Sequence, residues 1–153
     1  MQSILNRMMY RRGYLLFERL NPHLPDHGKL LDVGSGTGHN AKIIEDKMEL
    51  DVTELDVTDM NTLGRPVTIY DGLNIPFKDR AFDCVMMLFA LHYVANPTLL
   101  LKELHRVSSQ RILLLQSTWS GAWGKSVLHT REWMEGRGAF RIAQWSGGRR
   151  ITE

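Results

Sequence analysis

Apolar positions recur along this chain in two rhythms, one helical and one strand-like. Over residues 1–20, Ile4, Leu5, Met8, Met9, Leu15, Leu16 and Leu20 fall roughly at helical spacing, with Arg11, Arg12, Glu18 and Arg19 between them. This predicts an amphipathic helix covering a sheet edge or face, kinked or divided at Gly13. The functional alternative is a mobile lid over a ligand, with Tyr10 and Tyr14 one turn apart. A membrane-surface helix is disfavoured, because packing alone explains the stripe. Pro22, Pro25 and Gly28 mark residues 21–28 as a loop. Residues 29–33 then form an apolar run suited to a strand buried on both faces. The helix expected after Gly38 places Ala41, Ile44 and Met48 on one side and Lys42, Glu45 and Asp46 elsewhere. Further strands are expected over 49–57, 66–70, 82–89 and 111–116. Asn96-Pro97 opens another helix, with Leu100, Leu101, Leu104 and Val107 facing inward.

Strands alternating with helical segments imply βαβ units, hence an α/β fold with a doubly wound, mostly parallel sheet and helices on both faces. Right-handed crossovers bring the strand C-terminal ends to one edge, where Asp56, Asp71 and Leu88 converge with the glycine-rich stretch after the first strand. Beyond Gln116 the pattern weakens. Residues 120–124 form a small-residue loop flanked and interrupted by Trp119 and Trp123. Thr130 caps a short helix ended by Gly136, residues 139–145 alternate as a strand, and Gly147-Gly148 suits a hairpin turn. The whole reads as a single domain: an N-terminal helix and loop (1–25), a ligand-binding core (29–117) and a variable C-terminal part (118–153).

At 153 residues, with 43% hydrophobic and 24% charged positions, the chain is ordinary for a globular domain able to bury a core. A formal charge of +2 gives no case for a nucleic-acid partner. The single cysteine, Cys84, sits in an apolar run and reads as a buried small hydrophobe in a reducing compartment. No apolar stretch approaches the roughly 20 residues of a membrane span, and no secretory leader pattern is visible. The expectation is a cytoplasmic location.

The chemistry centres on Leu31-Asp32-Val33-Gly34-Ser35-Gly36-Thr37-Gly38-His39. A strand entering a glycine-rich turn at a helix start brings backbone N–H groups close to a ligand. The dinucleotide-binding version reads G-x-G-x-x-G, but here the third glycine comes one residue early and His39 takes its place. Asp32 on this reading is a ligand group or a cap, and Asp71-Gly72 a ligand group or merely a turn. Asp51, Glu54 and Asp59 read as solvated charges, with Glu54 the rival to Asp56 if the strand end shifts by two. No His/Cys cluster has metal-ligand spacing.

Five blocks together resemble the class I S-adenosylmethionine-dependent methyltransferases, in the small-molecule branch that includes quinone-biosynthesis enzymes. They are Leu31 through Gly38, Leu55-Asp56-Val57, Asp71 through Phe77, Phe82-Asp83-Cys84-Val85, and the later Leu91-His92-Tyr93-Val94 with Leu101 through Arg106. The resemblance implies a Rossmann-like fold, S-adenosyl-L-methionine as cofactor and methyl transfer to a small-molecule acceptor. It implies that Gly34, Ser35, Gly36 and Gly38 make room for the methionine portion, with Asp32 near the ammonium. Asp56 would accept from both ribose hydroxyls and Asp71 from the adenine amino group. Val57 and Leu73 would pack on the ring beside Gly72, and carbonyls near Met87 and Leu88 would meet the ammonium. His92 is the candidate general base, ahead of His129 and His39. Trp119, Trp123 and Tyr14 are candidates for an acceptor pocket, with core packing as the alternative. The residues following Asn96-Pro97 lack the aromatic that DNA amino-methyltransferases of this fold carry.

The family's seven-stranded sheet would require its last strand where residues 149–153 stand, so the C-terminal strands are expected to be short or incomplete. An unpaired edge there favours a homodimer or a disordered tail. Two rivals follow: a non-catalytic S-adenosylmethionine-binding module or partner subunit, and an NAD(P)-binding oxidoreductase, which His39 disfavours.

Overall fold

The computed structural model describes residues 2–117. The chain opens with α1 (Gln2–Leu20), a 3-10 turn (Asn21–His23), β1 (His27–Val33), α2 (His39–Lys47) and β2 (Glu49–Asp56). It continues with β3 (Val67–Ile69), β4 (Phe82–Leu88), a second 3-10 turn (Leu91–Tyr93), α3 (Pro97–Val107) and β5 (Ser108–Leu115). The five strands pair in the order β3-β2-β1-β4-β5, all parallel. The chain winds outward from β1 to β3, then returns to place β4 on the other side of β1. The switch point therefore lies between β1 and β4, where the crevice of such sheets opens.

The alternation of side chains along each strand divides the core in two. Leu30, Leu50, Val52, Cys84, Met86 and Leu88 pack with Leu20, Leu24, Ala41 and Ile44 on the side of α1 and α2. Leu31, Val33, Leu55, Val85 and Met87 pack with Leu100, Leu104 and Val107 of α3 on the other. Helices thus cover both faces, as the pattern predicted. Asn96 caps α3 by accepting the Leu99 N–H at 3.1 Å, and Pro97 occupies the first turn, where its missing N–H costs nothing.

Several expectations are corrected. Gly13 neither kinks nor divides α1. It is buried against α2, and a side chain there would come within 2.7 Å of Ile43. The strand expected to begin at Lys29 starts at His27, and residues 21–23 form a 3-10 turn. Strand β5 begins at Ser108, directly after α3, because an edge strand tolerates polar residues: Asp83 accepts from Ser109 at 3.4 Å and from Gln110 at 3.2 Å. Strand β2 stops at Asp56 rather than Val57, β3 spans only three residues, and β4 stops before Phe89, whose φ of 56° turns the chain. Leu101 is exposed rather than inward, one position off the stripe of Leu100, Leu104 and Val107. Met48 lies just past the end of α2 yet packs against the cluster of Ala41 and Ile44, as expected, while His39 and Ile43 are buried residues not foreseen there. The loop, helix, strand and hairpin expected within 118–153, together with Trp119, Trp123, His129 and the 149–153 strand, lie outside the described residues. Among the described residues, no helix is long and apolar enough to cross a membrane.

Candidate functional site

Strand β1 delivers Asp32 and Val33 to the carboxyl edge of the sheet, and the glycine-rich turn starts there. The Gly34 N–H donates to the Leu55 carbonyl at 2.8 Å, continuing the β1–β2 ladder by one rung. Gly34 has φ 76°, and a side chain on it would come within 2.7 Å of Ala90 Cβ. Only glycine lets the turn after β1 touch the turn after β4. Gly38, at φ 80°, caps α2 in the left-handed conformation, and a Cβ there would collide with the Asn61 amide. A Cβ on Gly36 would meet nothing within 4 Å, so this turn opens onto free space.

Three acids lie beneath that opening. Asp56 closes β2, is only 6% exposed, and accepts the Gly36 N–H at 2.8 Å and the Val57 N–H at 2.7 Å. Asp32 is 1% exposed, and its Oδ2 has no hydrogen-bond partner. Burial, reinforced by Glu54 and Asp56, pushes its carboxyl well above the usual carboxylate range, with Arg65 opposing. The Ser35 hydroxyl is likewise buried without a partner. Glu54 corrects an expectation: it is 2% exposed rather than solvated. It ion-pairs with Arg65 and accepts the Asn61 amide at 2.9 Å, while Arg65 reaches Glu45 of α2 at 2.5 Å. This clasp ties the 57–66 connection to β2 and α2 behind the glycine turn, and Glu45 first, then Glu54, raises the pKa of Arg65. The sequence hid it, because Arg65 lies in a connection with no periodic pattern. Asp51 and Asp59 are exposed, as expected.

Asp71 follows β3 and is exposed. Its Oδ1 accepts the Leu73 N–H at 2.8 Å and the Asn74 N–H at 2.7 Å, and its Oδ2 accepts the Asn74 side chain at 2.6 Å. The Asn74 contacts lead in holding its carboxyl below the usual range. Gly72 lies beside Val57, Leu73 is half-buried, and the Tyr70 N–H donates to the Asp56 carbonyl at 3.1 Å. Burial, with Asp56 and Asp71 adding to it, pushes the Tyr70 hydroxyl up to about 12. The Asp56 and Asp71 loops are therefore joined at one edge, and Met87 and Leu88 end β4 across the switch point.

His92 stands in the 3-10 turn after β4, its ring 3.9 Å from the Tyr93 ring and its Nδ1 2.5 Å from Gln116 Nε2. A lone amide at a strand end, Gln116 carries no sequence pattern that marks it. His39 is buried at the start of α2, with Nδ1 3.0 Å from the Thr37 hydroxyl, and burial lowers its pKa. Tyr14 lies exposed on α1 with Lys47 over its ring, 5.9 Å from the centroid.

Fold and site together define an open parallel α/β sheet with an acidic, acceptor-rich crevice at its switch point. That donor set suits a cationic ligand bearing hydroxyls and opposes a pyrophosphate dianion. The methyltransferase domain family matches residues 31–111, and the chain belongs to that family, one of class I S-adenosylmethionine-dependent methyltransferases. S-adenosylmethionine is accordingly its expected cofactor. An uncharacterized protein of Methanocaldococcus jannaschii is 33% identical over 102 residues, covering 67% of this chain and 48% of that protein. The ubiquinone/menaquinone biosynthesis C-methyltransferase of Neisseria meningitidis is 31% identical, covering 56% of this chain and 40% of that enzyme. A solved complex between the Trm112 methyltransferase activator of Haloferax volcanii and its candidate methyltransferase matches with TM-score 0.67. Its identity is 19%, covering 92% of this chain and 66% of that one. The chain spans less than half the length of these curated relatives.

Proposed function

We propose that this chain binds S-adenosylmethionine in the crevice at the β1–β4 switch point and transfers its methyl group to a small-molecule acceptor. The observation that carries the reading is the Asp32 carboxylate, wholly buried with an unpartnered oxygen beneath an open glycine turn. An orphaned buried acceptor is costly unless a ligand donor completes it, and the cofactor's ammonium is such a donor. The Ser35 hydroxyl is orphaned beside it and adds a second free partner. Gly34, Gly36 and Gly38 keep the turn clear of side chains, and Asp56 retains lone pairs for the ribose hydroxyls. Asp71, with three hydrogen bonds already accepted, keeps one for the adenine amino group. Val57, 45% exposed, and Leu73 offer apolar contact to the ring beside Gly72, and the β4 end at Met87 and Leu88 offers backbone carbonyls.

When bound, the sulfonium supplies an activated methyl group and a neutral leaving group. The chain then has to hold the acceptor in line and keep water out. His92 is the proposed proton acceptor for an acceptor molecule that must lose a proton. The quinone-biosynthesis methyltransferases among the relatives support a small, flat acceptor such as a demethylated quinone in its reduced, hydroquinone form, whose hydroxyl proton His92 would take. The test is to incubate the chain with methyl-labelled cofactor and a panel of demethylquinols, kept reduced, and other phenols. Label transferred to an acceptor, and lost with His92→Ala, supports the reading. Tight cofactor binding without transfer to any acceptor contradicts it and favours a non-catalytic cofactor-binding subunit.

A further inference from the structure

Residues 71–77 have no regular secondary structure, yet the far half of this loop is fastened by two side chains of α3. Glu103 and Arg106 stand three positions apart on α3. Arg106 Nε donates to Glu103 Oε1 at 2.8 Å and its Nη2 to Glu103 Oε2 at 2.7 Å, a bidentate fork. The rest of both side chains goes to the loop. Glu103 Oε2 accepts the Ile75 N–H at 3.0 Å, Arg106 Nη2 donates to the Ile75 carbonyl at 2.9 Å, and Nη1 donates to the Phe77 carbonyl at 2.8 Å. Nη1 also reaches Asp79 at 2.8 Å. Both polar backbone groups of Ile75 are thus held by α3, while its side chain is 3% exposed in the cluster of Leu100, Leu104 and Val107. Phe77 packs edge-on against Phe82, with centroids 5.0 Å apart.

At its near end the loop leaves β3, where the Tyr70 N–H is held by the Asp56 carbonyl at 3.1 Å. The Asp71 side chain itself is exposed and, among the described residues, accepts only from Leu73 and Asn74 within its own turn. With its backbone tied at Tyr70, the orientation of its carboxylate depends on where the Asn74–Phe77 segment is fixed. Resting on the cofactor reading above, we propose that Glu103 and Arg106 are positioning residues for adenine recognition: from the far face of the loop they set the place of Asp71. The contact geometry requires a planar fork, so a lysine at 106 could not satisfy Ile75, Phe77 and Glu103 together. The pKa of Glu103 is held below the usual carboxylate range, chiefly by Arg106, which keeps the fork charged.

The test compares S-adenosylhomocysteine with its deaminated analogue, S-inosylhomocysteine, by calorimetry on the whole chain. The two differ at the purine 6-position, where an amino donor becomes a carbonyl that Asp71 repels, and at the neighbouring N1, which gains a proton. Wild type should prefer the adenosyl ligand by about tenfold or more. Arg106→Met, which keeps the stem and removes the fork, should weaken the adenosyl ligand about tenfold while leaving the inosyl ligand within about threefold, so that the preference collapses. Arg106→Lys should not restore it. Glu103→Gln, a milder change that keeps the shape, should give a partial collapse and serves if Arg106→Met does not fold. Variants that lose melting temperature while both ligands weaken by one common factor would overturn the proposal, leaving a purely structural pair. So would an undiminished preference, or a wild type that binds both ligands equally. A wild type that binds neither ligand removes the cofactor reading itself, and this inference with it.

Discussion

Asp56→Ala separates two jobs that one carboxylate performs. In the ligand-free protein Asp56 accepts the Gly36 and Val57 N–H groups at 2.8 and 2.7 Å, orienting the glycine turn over the end of β2. In the proposed complex it also accepts the ribose hydroxyls. The side chain is 6% exposed, so its bonds compete with little water, and hydrogen bonds to a charged group of this kind contribute about 1.5–3 kcal/mol each. Water entering the space left by the side chain restores part of that. The net cost to cofactor affinity is about 1–3 kcal/mol, roughly 5- to 150-fold in Kd. Calorimetric titration with S-adenosylhomocysteine measures it, and a thermal melt of the free protein reports the separate loss at Gly36 and Val57. Asp59→Ala is the control, since Asp59 is an exposed carboxylate whose described bond is to the Asn61 N–H at 3.0 Å. If Asp56→Ala binds within twofold of wild type, Asp56 does not hold the ribose.

Asp32→Asn should raise the melting temperature of the free protein, and by more as pH rises. A carboxyl whose folded pKa lies above its unfolded value favours folding most when protonated. That contribution is full below about pH 4 and is lost as pH climbs through the folded pKa. Melts between pH 5 and 8 check this, and parallel pH profiles for wild type and variant would refute the assignment. The same variant should bind the cofactor more weakly, because the ammonium loses its anionic partner. Arg65→Met leaves the 2%-exposed Glu54 with Asn61 alone. It should cost about 2–3 kcal/mol in urea unfolding, below the range for a wholly buried pair because Arg65 keeps 19% side-chain exposure. An undiminished midpoint would show that the clasp contributes nothing.

Much of this architecture was legible in the sequence because parallel strands announce themselves as apolar runs. The core stretches of β1 and β4 and the leucine stripe of α3 emerged with small errors at their ends. The glycine turn after β1 and the place of Asp56 at the end of β2 were legible because glycines and an acid stand at fixed spacing from the strand ends. What stayed hidden was whatever depends on a partner far along the chain. Glu54 lies on β2 between Thr53 and Leu55 and looks solvated until Arg65 folds back over it. Ser108 to Gln110 look like a loop until Asp83 and the edge of the sheet accept them. Gly13 looks like a helix breaker until α2 is placed against it. Gln116 and the Glu103–Arg106 fork bind groups 24 to 31 positions away, beyond any local periodicity.

The central claim is that the crevice at the β1–β4 switch point takes an adenosyl-sulfur ligand and not a dinucleotide. Calorimetry of the chain with S-adenosylmethionine, S-adenosylhomocysteine and NAD tests it most directly. The acidic, pyrophosphate-averse crevice predicts saturable heat with both sulfur ligands and none with NAD; binding of NAD with no heat from either sulfur ligand would contradict it.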